Sequence, residues 1–268
     1  AWFGTAQLTA VACVEIDFWL SCIGRLARQG CPIRAIPPLE AVLVVSDASD
    51  VAVGCYTQLS PSAQIQIGQE CLEMGEQDAS STYRELVGAL RSIKMFHSDK
   101  TGIDINLILD NQGATRILSI GSRVDALQRL AADLFLWAVE RGIRIFARWQ
   151  PRDCEEVVLC DWLSKLVDET AWSVDPALFQ ALDKDPQFGG GQGHHVDLFA
   201  AEGNTQLDRF FSRFWCRRSE AADAFTQDWQ GLNGWANPPR VLIPRVVAHA
   251  RMCECACTLI VPRDTTAM

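Results

Sequence analysis

Four carboxylates stand where strands should end or helices begin. They are Asp47 after the run Leu43-Val44-Val45, Glu85 in the first turn of a helical segment opening near Ser80, Asp110 after residues 105–109, and Asp161 at the start of a helical run through Leu166. In sheets covered by helices, side chains at such positions converge on one edge. Four carboxylates gathered there repel one another and could not all stay ionised without cations. Hard oxygen ligands suit Mg2+ (or Mn2+), which keeps several waters and readily accepts phosphate oxygens. Two such ions about 3.5–4 Å apart activate water on one side of a phosphodiester and stabilise the leaving oxygen on the other. The expected chemistry is metal-assisted phosphodiester hydrolysis. Asp47 would bridge both ions, and Glu85, Asp110 and Asp161 would complete their shells.

Each acid also has a purely structural alternative. Thr82-x-x-Glu85 has the form of a capping box, in which Glu85 would only bind the helix's own main chain. Asp47 and Asp50 suit a turn after a strand. Asp110-Asn111 suits an Asx-turn or a helix cap, and Asp161 suits a helix dipole. Their common placement, more than any one of them, points to a site.

The elements that must carry these residues follow from the apolar periodicity. Residues 43–45 and 51–57 read as a hairpin, with a weaker strand after it. From Ser80 the period turns helical, with Leu86, Leu90, Ile93 and Phe96 or His97 on one stripe. Residues 105–109 form a buried strand. Ser122-x-x-Asp125 reads as the cap of an amphipathic helix bearing Leu127, Leu130, Leu134, Trp137 and Ala138, which Gly142 ends. Residues 143–147 form another strand. This order implies a mixed sheet with helices packed on it.

Upstream, a helix is expected around residues 14–20, leading to a Pro-rich exit at 32–38. Residues 171–194, with Gly189-Gly190-Gly191 and Gly193, read as a linker, and His194-His195 as solvated loop. Cys253-x-Cys255-x-Cys257 does not have zinc-site spacing and reads as buried thiols.

The totals set limits. A hydrophobic fraction of 49% supports a sizeable core. No run approaches the ~20 apolar residues of a membrane span, and no membrane partner is expected. The eleven cysteines are odd in number and irregularly spaced, as in a reduced intracellular protein. A net charge of −9 argues against a free-standing nucleic-acid binder, which would carry a basic face, but not against a nuclease whose acids are filled by cations.

Four motifs together resemble the ribonuclease H domain of retroelement reverse transcriptases, most closely the DIRS type with a tyrosine recombinase. They are Ser46-Asp47-Ala48-Ser49, Ser80-Ser81-Thr82-Tyr83-Arg84-Glu85-Leu86, Leu109-Asp110-Asn111 and Cys160-Asp161-Trp162-Leu163-Ser164-Lys165. The resemblance implies a five-stranded mixed sheet with helices on both faces over residues 39–170. It also implies Asp47, Glu85, Asp110 and Asp161 as catalytic metal ligands, and an RNA–DNA hybrid as substrate. Ile16-Asp17-Phe18-Trp19 is similar to the family's connector, so residues 1–38 would join an upstream reverse transcriptase domain. The chain departs from the family between Trp149 and Asp161. Residues 151–160 are longer than usual, lack the Asn before the last Asp, and carry no His to aid product release. An inactive relic or a hybrid-binding module is the corresponding alternative.

Residues 195–268 resemble a Dam-type adenine methyltransferase segment, α/β but short for a complete fold. The motifs are Val196-Asp197-Leu198-Phe199-Ala200, Asp223-Ala224-Phe225, Gln227-Asp228-Trp229 and Asn237-Pro238-Pro239. In that family the acid after the first strand, here Asp197, contacts S-adenosylmethionine. The Asn-Pro-Pro turn accepts the amine of a flipped adenine, on which an aromatic ring stacks. Here Arg240 stands where that ring would be, and no Gly-x-Gly follows Asp197.

Overall fold

The computed structural model describes residues 7–30, 38–166 and 173–261. Most of the Pro-rich exit, residues 31–37, lies outside them. A helix α1 (Ala10–Gln29) precedes strands β1 (Val42–Ala48), β2 (Ala52–Gln58) and β3 (Gln66–Cys71). Then follow α2 (Met74–Gln77), α3 (Ser81–His97), β4 (Asp104–Leu109), α4 (Gln112–Ile120), α5 (Asp125–Arg141), β5 (Arg144–Trp149) and α6 (Glu155–Lys165).

The strands form one five-stranded sheet in the order β3-β2-β1-β4-β5. β1, β2 and β3 pair antiparallel, while β1, β4 and β5 run parallel. This is the mixed five-stranded sheet expected from the motifs.

The alternation along β1 sorts the two cores. Val44 faces a layer of α3, α4 and α5 with Leu86, Ile93, Leu107, Leu109 and Leu134. Val45 faces the opposite layer with Tyr56, Ile108, Val157 and Cys160 of α6. Helices thus cover both faces. Buried Arg91 fixes α3 against the edge strand, pairing with Glu70 at 3.2 Å and Glu76 at 2.9 Å.

Two expected caps shift. The hydroxyl of Ser80, not Thr82, accepts the amide of Tyr83, so Glu85 is no capping-box acid. Asp125 opens α5 with Val124 as N-cap, and Ser122 only accepts the amide of Val124. Helix α6 also starts earlier than expected, because Glu155 and Glu156 occupy its first turn, where the dipole favours acids. Asp161 therefore sits within the helix rather than at its start.

The segment expected as a linker contains α7 (Pro176–Lys184), opened by Asp175 as N-cap and Pro176 at its first position. Beyond it come β6 (Val196–Asp197), β7 (Phe211–Ser212), β8 (Ala221–Ala222), β9 (Asn233–Ala236), α8 (Ile243–Met252) and β10 (Ala256–Leu259). β10, β9 and β6 form a small parallel sheet around Val196, Leu198, Trp229 and Val246. Cys253, Cys255 and Cys257 pack against this second core as half-buried thiols.

His194, expected in solvent, is buried with its ring between Asp183 (2.7 Å) and Thr258 (2.8 Å). The second unit also covers an edge of the first. The amide of Gln69 donates to Trp215 O, and the amide of Trp215 donates to Ile67 O, closing the exposed side of β3. Among the described residues no helix is long and apolar enough to cross a membrane.

Candidate metal centre

The site is built by strand register. Ser46 pairs with Leu109 at the end of the parallel β1–β4 ladder, so the next residues, Asp47 and Asp110, stand side by side just beyond it. Because side chains alternate along a strand, both follow the face of Val45 and Ile108, beneath α6. Glu85 reaches the same edge from the second turn of α3, with its Oε1 3.5 Å from the amide of Ala48. One carboxylate oxygen from each of Asp47, Glu85 and Asp110 falls within 4.8 Å of the others. Sequence reasoning placed these three residues together, and the structure brings them together.

The electrostatics show what such a cluster lacks. Asp47 and Glu85 are each 2% exposed. The hydroxyl of Ser164 donates to Asp47 Oδ2 at 2.6 Å, whereas Asp47 Oδ1 and Glu85 Oε2 are buried with no hydrogen-bond partner among the described residues. Burial, then the neighbouring charges of Asp47 and Asp110, pushes the Glu85 carboxyl up to about 9. Burial chiefly raises Asp47 as well, with Asp110 and Asp161 adding to it against the Ser164 hydrogen bond and Arg152. Orphaned oxygens on a hard-oxygen donor set fit a divalent ion such as Mg2+ or Mn2+.

Asp161 is held differently. It lies in α6, where Lys165 reaches both its oxygens at 2.6 and 2.7 Å. Arg152, on the turn after β5, donates from Nε to Asp110 Oδ2 at 2.7 Å and lies 3.4 Å from Asp161 Oδ1. Its other end is 3.9 Å from Asp47 Oδ1. The fourth carboxylate thus joins the cluster through an arginine. Sequence reasoning missed Arg152 because its partners stand far away in the chain. The exposed Trp149 fixes this turn beside the site, its indole donating to the main-chain oxygen of Asp110.

Gly54 was also missed, though a lone glycine inside a strand signals a close approach. It pairs with Asp47 across the hairpin, and α6 lies directly over it. A Cβ there would stand 2.4 Å from Cys160 O and 2.5 Å from Ser164 N, both main-chain atoms. Only glycine lets α6 bring Ser164 and Asp161 down to Asp47. Gly54→Ala is therefore expected to lower stability by about 1–3 kcal/mol through overpacking, read by urea denaturation. An unchanged midpoint would show that α6 can lift without cost.

The residues expected to bind S-adenosylmethionine and adenine do not gather in this way. The Asp197 carboxylate accepts the main-chain amides of Phe199 (3.4 Å) and Gln206 (3.1 Å) and is 2% exposed. Burial raises it to about 6. Its oxygens are engaged with its own loop. Asn237 and Pro239, without Pro238, line a cavity of about 610 Å3 with Phe199, Phe225 and Arg245. Arg240, in place of an aromatic ring, begins a short 3-10 turn.

No known protein family matches the chain by sequence, and no curated protein does. Among solved structures, ribonuclease H1 of the archaeon Halobacterium salinarum is similar over 46% of this chain and 93% of its own, at 18% identity and a TM-score of 0.39. The N-terminal RNase H domain of a Mycobacterium tuberculosis protein covers the same shares at 13% identity and a TM-score of 0.37. LC11-RNase H1, isolated from compost, is similar over 46% of this chain and 92% of its own, at 14% identity and a TM-score of 0.37.

Proposed function

We propose that the chain is a divalent-metal-dependent endonuclease that cleaves the RNA strand of RNA–DNA hybrids. The observation that carries this reading is the convergence of Asp47, Glu85 and Asp110 with two buried carboxylate oxygens left unpaired. A divalent ion bound there would supply an activated water and offset phosphate charge. The protein's own part is positional. Ser164 orients Asp47, the β1–β4 register holds Asp110 beside it, and α3 delivers Glu85. With the motif resemblance, this supports work within retroelement reverse transcription, inside the cell and beside an upstream reverse transcriptase domain.

A second reading, a hybrid-binding module without chemistry, finds its support in Asp161, which is engaged by Lys165 and Arg152. Cleavage of a labelled RNA–DNA hybrid in Mg2+ or Mn2+ separates the two, with duplex DNA as control. Hybrid-specific cleavage that a chelator stops is expected. A well-folded chain that binds hybrid and leaves it intact would favour the second reading.

A further inference from the structure

Arg152 lies where cations are expected. Its guanidinium spans Asp110 (2.7 Å), Asp161 (3.4 Å) and Asp47 (3.9 Å), three of the four carboxylates that a pair of divalent ions would share. Guanidinium stays charged at any working pH, and its fork suits two carboxylates at once. Asp161 carries Lys165 besides, so its charge is already offset. On the other side, Glu85 Oε2 and Asp47 Oδ1 are each on a nearly fully buried residue without a hydrogen-bond partner, and Arg152 comes no nearer to Asp47 Oδ1 than 3.9 Å. The cluster is thus divided into one half short of a cation and one half that has its own.

We propose that Arg152 is a resident cation in the second-ion position, so that the centre takes one divalent ion through Asp47, Glu85 and Asp110 and admits a second only when Arg152 swings out. This inference rests on the metal-dependent reading above. The exchange is physically open. The Arg152 side chain is 62% exposed on a turn and can swing into solvent, while its partners Asp110 and Asp47 stay buried and are left for a second ion. The expected consequence is a centre whose second ion binds at higher concentration than the first.

The test is Mn2+ binding to the full chain, read by calorimetry and by the spin-resonance signal of free Mn2+. One ion is expected for the wild type at low Mn2+. Two are expected for Arg152→Ala, with the second tightened on the order of tenfold, as for removal of one competing ion pair. Lys165→Ala, which also removes a cation from Asp161, is expected to keep one ion. Two equal ions in the wild type would overturn the role of Arg152 and leave the hydrolase reading standing. The same gain in Lys165→Ala would overturn it too, since any lost charge would then serve. No binding by wild type or variant would overturn both the inference and the reading beneath it.

Discussion

A chain carrying Asp47→Asn is expected to melt several degrees above the wild type and to cleave hybrid roughly a thousandfold more slowly, about 4 kcal/mol of barrier. Both effects come from one charge. In the metal-free protein Asp47 is desolvated and faces Asp110 and Asp161, so burial and repulsion both act against its ionised form. The amide removes that charge while its carbonyl still accepts the Ser164 hydroxyl. The loss is the approach of Arg152, which at 3.9 Å is too long for a hydrogen bond. A gain of about 1–3 kcal/mol is expected, read by thermal denaturation with a chelator present. The same substitution removes one of the three carboxylates of the proposed metal site. A variant that melts lower than wild type would make Asp47 a structural residue, whatever happened to cleavage.

How much of this was legible in the sequence depended on whether a signal was local. Period-2 and helical apolar patterns found β1, β2, β4, β5, α3 and α5, because burial of one face is written into neighbouring residues. Asp47 and Asp110 were legible for the same reason, being the first charged residues after buried apolar runs. Glu85 was ambiguous, since Thr82 and Ser80 both suit a cap, and only the helix's real start frees Glu85 for the site.

What was not legible is set by tertiary contact. Arg152 meets Asp110 across 42 residues of sequence separation, and nothing near Arg152 announces that meeting. His194 reads as loop beside glycines until β10 delivers Thr258 and α7 delivers Asp183 to its ring. The helix α7 was readable, however. Asp175-Pro176 is a start signal, and the neighbouring glycines drew the reading toward a linker. Docking of Trp215 on β3 depends on a free strand edge, which no single stretch of sequence records.

The metal-free protein is expected to lose stability as the pH rises from about 7 to 9, by about 1.4 kcal/mol per pH unit at most, and to regain it with Mn2+ or Mg2+. The Glu85 carboxyl titrates at about 9 in the folded chain against an ordinary value of 4.5, so the folded state holds that proton more tightly than the unfolded state. Its contribution is complete below 4.5, declines as the pH climbs, and is gone above about 9. Asp47 acts in the same sense from a lower starting point, and Asp197, raised to about 6, does so only in acid. His97 acts oppositely. Burial lowers it from 6.5 to about 4, so it adds stability as the pH rises through that interval and masks Glu85 there. The clean window is therefore above neutrality. A divalent ion reverses the slope, because it binds the deprotonated acids and its affinity grows as Glu85 loses its proton. Asp47→Asn should flatten the metal-free slope by removing one of the charges that raise Glu85. Melting curves at pH 7, 8 and 9 in chelator, then in excess Mn2+, read both effects. A wild-type profile as flat as that of Asp47→Asn, unmoved by Mn2+, would mean that Glu85 ionises freely and that the three acids share no cation.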